Sequence, residues 1–157
     1  MDISFREIDF EDKADGEKAV LLLNEFMNQT EKCTREIDIS IIEKMQNLGF
    51  AKIYFSEVDR NIMGIAVCFK GFSTYKQKEL LNIHDFYLQK NYQGNGIGKL
   101  FLEFIEKECI KNDFCRVTLE VYGDNSHAIK LYKKSGYVGS EDTKNSCLIY
   151  AMKKDLF

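Results

Sequence analysis

The sequence predicts a mixed α/β domain with one central β-sheet flanked by helices. Segments with strand-like alternation and segments with helical spacing follow one another in the order β-α-α-β-β-β-α-β-α-β-β. Proline is absent, and no Gly/Ser-rich stretch or charge block divides the 157 residues, so they read as a single domain over 1–157. A glycine-dense turn joins an apolar strand to a strongly amphipathic helix.

Ser4 to Ile8 alternates as a short strand. Ala19, Leu22, Leu23 and Phe26 fall at i, i+3, i+4 and i+7, which predicts a one-faced helix from Gly16 to Asn28. A second helix is expected from Ser40, with Ser40 and Glu43 as a capping box, Ile41, Met45 and Leu48 as its stripe, and Gly49 as its stop. Strands over Ala51–Val58 and Ile62–Phe69 flank Asp59-Arg60-Asn61, a hairpin signal. A polar loop with Gly71-Phe72-Ser73-Thr74 leads into the strand Leu80–Leu88. The helix expected over Gly96–Lys111 has Ile97, Leu100, Phe101, Phe104, Ile105 and Cys109 on its buried face, with Glu103, Glu106 and Lys107 toward water. Arg116–Tyr122 is β-rich, Ser126–Ser135 is a short helix closed by Gly136, and Tyr137–Val138 and Leu148–Lys153 are closing strands.

Composition narrows the function classes. Hydrophobic residues at 45% and charged residues at 30% exclude wholesale disorder. A net charge of −3 disfavours nucleic acid and mildly favours a cationic small substrate. No apolar run reaches the ~18–20 residues of a membrane span, so no membrane partner is expected. Met1–Glu7 has neither the basic start nor the apolar run of a signal peptide. Cys33, Cys68, Cys109, Cys115 and Cys147 are scattered without a C-x-x-C pair, which fits reduced thiols and a cytoplasmic location. His84 and His127 have no partners at zinc spacing, so no metal is expected, and no G-x-S-x-G elbow occurs.

The most informative stretch is Tyr92-Gln93-Gly94-Asn95-Gly96-Ile97-Gly98-Lys99. Its glycines let the backbone turn sharply and approach a ligand, and the N–H groups opening the next helix face the same space. Such an arrangement binds phosphate. A Walker loop fails on Leu100 after Lys99, and a dinucleotide fingerprint fails on the spacing of Gly94, Gly96 and Gly98. A plain glycine-rich turn between a strand and a helix is the alternative reading of the loop taken alone.

Gln93, Gly96 and Gly98 match Gln/Arg-x-x-Gly-x-Gly/Ala, which resembles the acetyl-CoA loop of the GNAT superfamily of N-acetyltransferases. Asn125, Ala128, Tyr132, Gly136 and Tyr137 fill a second pattern similar to that superfamily's, Asn-x-x-Ala-x-x-x-Tyr-x-x-x-Gly-Phe/Tyr. The resemblance runs from Ile62 to the C-terminus and is strongest over Leu81–Tyr137. Ile83–Leu88 and Thr118–Val121 are similar to the corresponding strands of small-amine acetyltransferases of the diamine and aminoglycoside kind.

The resemblance implies a GNAT-type sheet with splayed central strands and transfer of acetyl from acetyl-CoA to a primary amine by direct attack in a ternary complex. It implies a small cationic acceptor, with protein or peptide N-acetylation and a non-catalytic acyl-CoA sensor as alternatives. It places pyrophosphate on the backbone of Gly94, Asn95, Gly96, Ile97, Gly98 and Lys99, with Gln93, where Arg is commoner, at the entrance. Pantetheine would run along Phe86, Tyr87 and Leu88, with Asn125 and Ala128 beside it. Tyr132 takes the position of the general acid that assists thiolate departure; read without the motif, it is a core aromatic of a short helix. Glu120, Asp85 and His84 are candidates for relieving the amine of its proton, or polar groups satisfied within the sheet. The acceptor site would lie among Phe26–Glu36 and Gly71–Tyr75, with Glu25, Glu31 and Glu36 holding a cation or simply facing solvent, and Phe26, Phe72 and Tyr75 as walls. Members of the superfamily often form homodimers, so a homodimer is implied as well.

Overall fold

The computed structural model describes residues 1–29, 36–139 and 149–157. Glu31, Cys33, Cys147 and Leu148 lie outside the described residues. The elements are β1 (Ile3–Glu7), α1 (Lys13–Gln29), α2 (Ser40–Leu48), β2 (Ala51–Val58), β3 (Asn61–Ser73), β4 (Lys78–Leu88), a single 3-10 turn (Lys90–Tyr92), α3 (Ile97–Lys111), β5 (Arg116–Tyr122), α4 (Ser126–Lys134), β6 (Val138–Gly139) and β7 (Ile149–Asp155). The strands form one seven-stranded sheet in the order β1-β2-β3-β4-β5-β7-β6, the mixed α/β architecture that the sequence predicts. The chain divides into two compact units, one of Met1–Cys68 with Asp85–Asn95, the other of Phe69–His84 with Gly96–Phe157.

In the first unit β1 pairs antiparallel with β2, from Ile3 opposite Val58 to Glu7 opposite Tyr54. Asp59 and Arg60 both have positive φ, 50° and 67°, the conformation of a tight two-residue hairpin loop. Ala19, Leu22 and Leu23 of α1, Ile53 and Phe55 of β2 and Ile65 of β3 are at most 2% exposed and make the core. Burying each of the larger side chains stabilises the fold by about 1.5–3 kcal/mol. Asp15, also buried, receives a two-pronged pair from Arg6 at 2.6 and 2.8 Å and the Asp9 N–H at 2.9 Å, which ties β1 to α1.

The capping box of α2 does not form. Ile39 occupies the cap position in helical conformation with no side-chain bond, and the Asp38 carboxylate takes the Ser40 N–H at 2.8 Å instead. Ser40 is thereby drawn in as the first helical residue. Gly49 does stop the helix, at φ 73° with its N–H on the Gln46 carbonyl.

In the second unit β4 runs parallel to β5 over Leu81–Ile83 and Val117–Leu119, and β7 pairs antiparallel with both β5 and β6. Two details depart from expectation. Strand β3 continues through Gly71 to Ser73, where a polar loop is expected. A Cβ on Gly71 would meet Leu80 at 3.1 Å, so this glycine makes room for a neighbouring strand residue and does not open a turn. The buried face of α3 is also rotated: Leu100 is 43% exposed, whereas Leu102 is fully buried and Glu106 only 7% exposed. Glu106 can turn inward because Lys154 of β7 meets it at 2.8 Å.

Candidate functional site

The glycine loop begins where β4 ends. Gln93 donates its side-chain amide to the Leu88 carbonyl at 2.7 Å, folding the chain back on the strand end. Gly94 and Gly96 then both adopt φ 80°, and a Cβ built on either would meet no atom within 4 Å. Glycine is therefore required here by backbone conformation, with open space above, and not by contact with a neighbour. Gly96 is the N-cap of α3; its carbonyl accepts from the N–H groups of Lys99 and Leu100 at 3.1 and 3.2 Å. Among the described residues nothing accepts from the N–H groups of Gly94, Asn95, Gly96, Ile97 or Gly98. Ile97, fully buried, pins this turn to the core, and the first turn of α3 carries no acidic residue and includes the exposed Lys99. Unpartnered donors at the positive end of a helix form an anion cradle. They suit the diphosphate that the sequence resemblance expects at this loop.

Asn125 caps α4, its side-chain oxygen accepting the Ala128 N–H at 3.2 Å. The exposed Asn125 thereby keeps its amide N–H groups as outward donors, and Ala128 beside it is half-buried. Tyr132 lies on α4 with its ring 5.9 Å from Tyr137 and only 6% of its surface exposed. Burial pushes the Tyr132 phenol well above its ordinary pKa, so it stays protonated at neutral pH. Its carbonyl accepts the Ser135 and Tyr137 N–H groups at 3.1 and 3.0 Å. Lys154 binds the Ser135 carbonyl and the Glu106 carboxylate, each at 2.8 Å, so the end of α4 is tied to both β7 and α3.

Asn82 of β4 donates to Thr118 of β5 at 3.0 Å, which fixes one face of that strand pair. Ile83 stands opposite Leu119, so His84 and Glu120, one residue further on each strand, project from the same face as Asn82 and Thr118. Both are exposed, and His84 meets the Phe69 ring edge-on at 5.4 Å. Asp85 is half-buried and alternates with Leu81, Ile83 and Tyr87, so it belongs to the opposite face. Phe86 is half-buried; Tyr87 and Leu88 are buried.

A cavity of about 450 Å³ opens in the first unit, lined by Glu25, Asn28, Gln29, Tyr87, Gln89, Lys90 and Asn91. Gln89 donates to both Glu25 carboxylate oxygens, at 3.2 and 2.9 Å, and the Tyr87 hydroxyl lies 3.5 Å from one of them. Gln29 donates to that hydroxyl at 3.1 Å, and Phe26 packs on the Tyr87 ring at 5.6 Å. Burial first, and the Glu25 charge second, push the Tyr87 phenol upward. Of the acceptor residues expected from sequence, Glu25 lines the cavity and Phe26 supports it. Glu36, Phe72 and Tyr75 are exposed and do not line it. Gln89, Lys90 and Asn91 carried no sequence signal, since β4 meets α1 only through folding. Asn28 and Gln29 fall inside the expected acceptor segment but are not distinctive in type.

Among the described residues no group of three or more His, Cys, Asp or Glu is placed to hold a metal, and no helix is long and apolar enough to cross a membrane. Among the described residues, Cys68, Cys109 and Cys115 are buried and take part in no disulfide.

The family profile described as acetyltransferase (GNAT) matches residues 21–137. A probable spermine N(1)-acetyltransferase of Bacillus subtilis subsp. natto (strain BEST195) is 36% identical over 53 residues, a match spanning 33% of this chain and 35% of that relative. Among solved structures, an aminoglycoside acetyltransferase from an uncultured soil metagenomic sample, in complex with trehalose, superposes with a TM-score of 0.77 at 19% identity, covering 91% of this chain and 93% of that one. A putative acetyltransferase from Salmonella typhimurium with its cofactor acetyl-CoA gives a TM-score of 0.76 at 18% identity, covering 99% of this chain and 94% of that one. At these identities the structural likeness is one of fold.

Proposed function

This chain belongs to the acetyltransferase (GNAT) family, and from that premise we propose that it transfers an acetyl group from acetyl-CoA to a primary amine of a small cationic molecule. The observation that carries the reading is the row of N–H groups from Gly94 to Gly98 at the start of α3, unpartnered among the described residues. The small cationic acceptor draws support from two relatives, one called a spermine and the other an aminoglycoside acetyltransferase.

When bound, acetyl-CoA supplies the acetyl group as an activated thioester. The loop backbone from Gly94 to Gly98, with Lys99, would hold its diphosphate, while Gln93 braces the loop through Leu88 and does not reach out as a charged contact. The backbone of Phe86–Leu88 and the free amide of Asn125 would meet the amide groups of the pantetheine arm. The Tyr132 phenol would donate a hydrogen bond to the sulfur as negative charge develops there. Because a buried phenol is a weaker acid than a thiol of pKa ~8.5, full proton transfer runs uphill and hydrogen-bond donation is the stabilising act. An alkylamine of pKa ~10 is free base in only about one molecule in a thousand at neutral pH. Glu120 and His84, which are exposed on one shared face of β4 and β5, would take that proton directly or through water. Asp85, on the other face, is the weaker candidate.

Calorimetry with acetyl-CoA, followed by thiol release over a panel of amines, tests the reading. Binding with turnover is expected. Binding without turnover on any acceptor would favour an acyl-CoA sensor, and absence of binding would remove the proposal altogether.

A further inference from the structure

Resting on the acetyltransferase reading, we infer that the cavity around Glu25 anchors a second ammonium group of the acceptor, one that is not acetylated, so that the enzyme selects amines carrying at least two nitrogens.

Glu25 is a half-buried carboxylate whose recorded partners, Gln89 and Tyr87, are neutral. These donors hold its orientation without cancelling its charge. Among the described residues no Lys, Arg or His stands within ion-pair distance of it. A partly desolvated carboxylate held in a fixed direction with no cation beside it is a binding group for one. The cavity, at about 450 Å³, falls in the size range of small-ligand pockets. Asn28, Gln29 and Asn91 add amide oxygens able to accept the remaining N–H bonds of an ammonium.

Charge decides which nitrogen sits there. An ammonium beside a carboxylate is held in its protonated form, the reverse of what a nucleophile needs. The anchored nitrogen is therefore not the reacting one. Lys90, the one positive group of the lining among the described residues, opposes a further cation there.

The test compares unbranched diamines of three to eight carbons with monoamines of matching length. Binding to the protein alone is followed by NMR, and thiol release is followed with acetyl-CoA present. Wild-type protein should bind at least one diamine more tightly than its monoamine and turn it over at lower KM. Glu25→Gln should raise that diamine's Kd and KM about 10- to 100-fold, the effect of losing one charge-assisted bond. Its acetyl-CoA affinity should stay unchanged, and Glu25→Asp should recover part of the preference. A wild type with no diamine preference, or a Glu25→Gln variant that keeps it, overturns the inference. Diamine binding that is lost in Glu25→Gln, in a protein that turns over no amine, leaves the anchor standing and overturns the acetyltransferase reading alone.

Discussion

Gly96 shows what one backbone conformation contributes to the proposed anion cradle. At φ 80° an L-residue pays about 1–2 kcal/mol in strain, and a β-branched side chain is rarer still. Gly49 supplies an internal control, because it also sits in the left-handed region, at φ 73°, with nothing within 4 Å of a Cβ. Gly96→Val and Gly49→Val should therefore lower stability by similar small amounts in denaturant titrations. Only Gly96→Val should abolish acetyl-CoA binding by calorimetry, since only there does the new side chain enter the anion cradle. Equal retention of affinity in both variants would detach the loop from the coenzyme. Tyr132 gives the second residue-level prediction. Removing its hydroxyl in Tyr132→Phe should lower kcat about 10- to 10³-fold with little change in acetyl-CoA affinity. Steady-state kinetics showing an unchanged kcat, with pre-steady-state data confirming that chemistry limits turnover, would exclude the phenol from the mechanism.

At the scale of elements, the join between β1 and α1 depends on Asp15. Hydrogen bonds from Arg6 hold its carboxyl below the usual range, against the opposing effect of burial. Its stabilisation is therefore complete above the unfolded value of about 4 and is lost as pH falls through the lower folded value. Asp15→Asn should cost about 2–4 kcal/mol at pH 7, and the gap to wild type should close as pH drops below about 4. Urea denaturation at several pH values reads this directly, and a gap independent of pH would contradict it. The same scale shows where local reading works. The turn at the glycine loop and the helix within Asn125–Tyr137 were legible because each is a contiguous run whose conformation is set locally. The face of α3 was not, because Glu106 is made tolerable inside by Lys154, 48 residues away. The start of α2 was missed for a subtler reason: Asp38 and Ser40 are both good cap residues, and sequence alone does not say which captures the N–H. Likewise Gly71 reads as a loop glycine until Leu80 is seen against it.

For the whole molecule, the order of elements followed from periodicity, and the seven-stranded order emerged only from the fold, since pairings such as β5 with β7 join distant segments. The Glu25 cavity is of the same kind: its carboxylate and Gln89 lie 64 residues apart, so no spacing rule finds it. Coenzyme binding should be visible at this scale without any assay of chemistry. A ligand that binds the folded chain alone stabilises it by about 2.7 kcal/mol at a hundred times its Kd. For a chain of this size that corresponds to a rise in Tm of about 5–11 °C. Thermal melts with acetyl-CoA should show this rise in wild type and in Tyr132→Phe, whose cradle is intact, and none of it in Gly96→Val. Glu25→Gln should melt like wild type with acetyl-CoA, because the role proposed for its carboxylate lies with the acceptor. A Glu25→Gln protein that lost the coenzyme-induced rise would place Glu25 with the coenzyme and not with the amine.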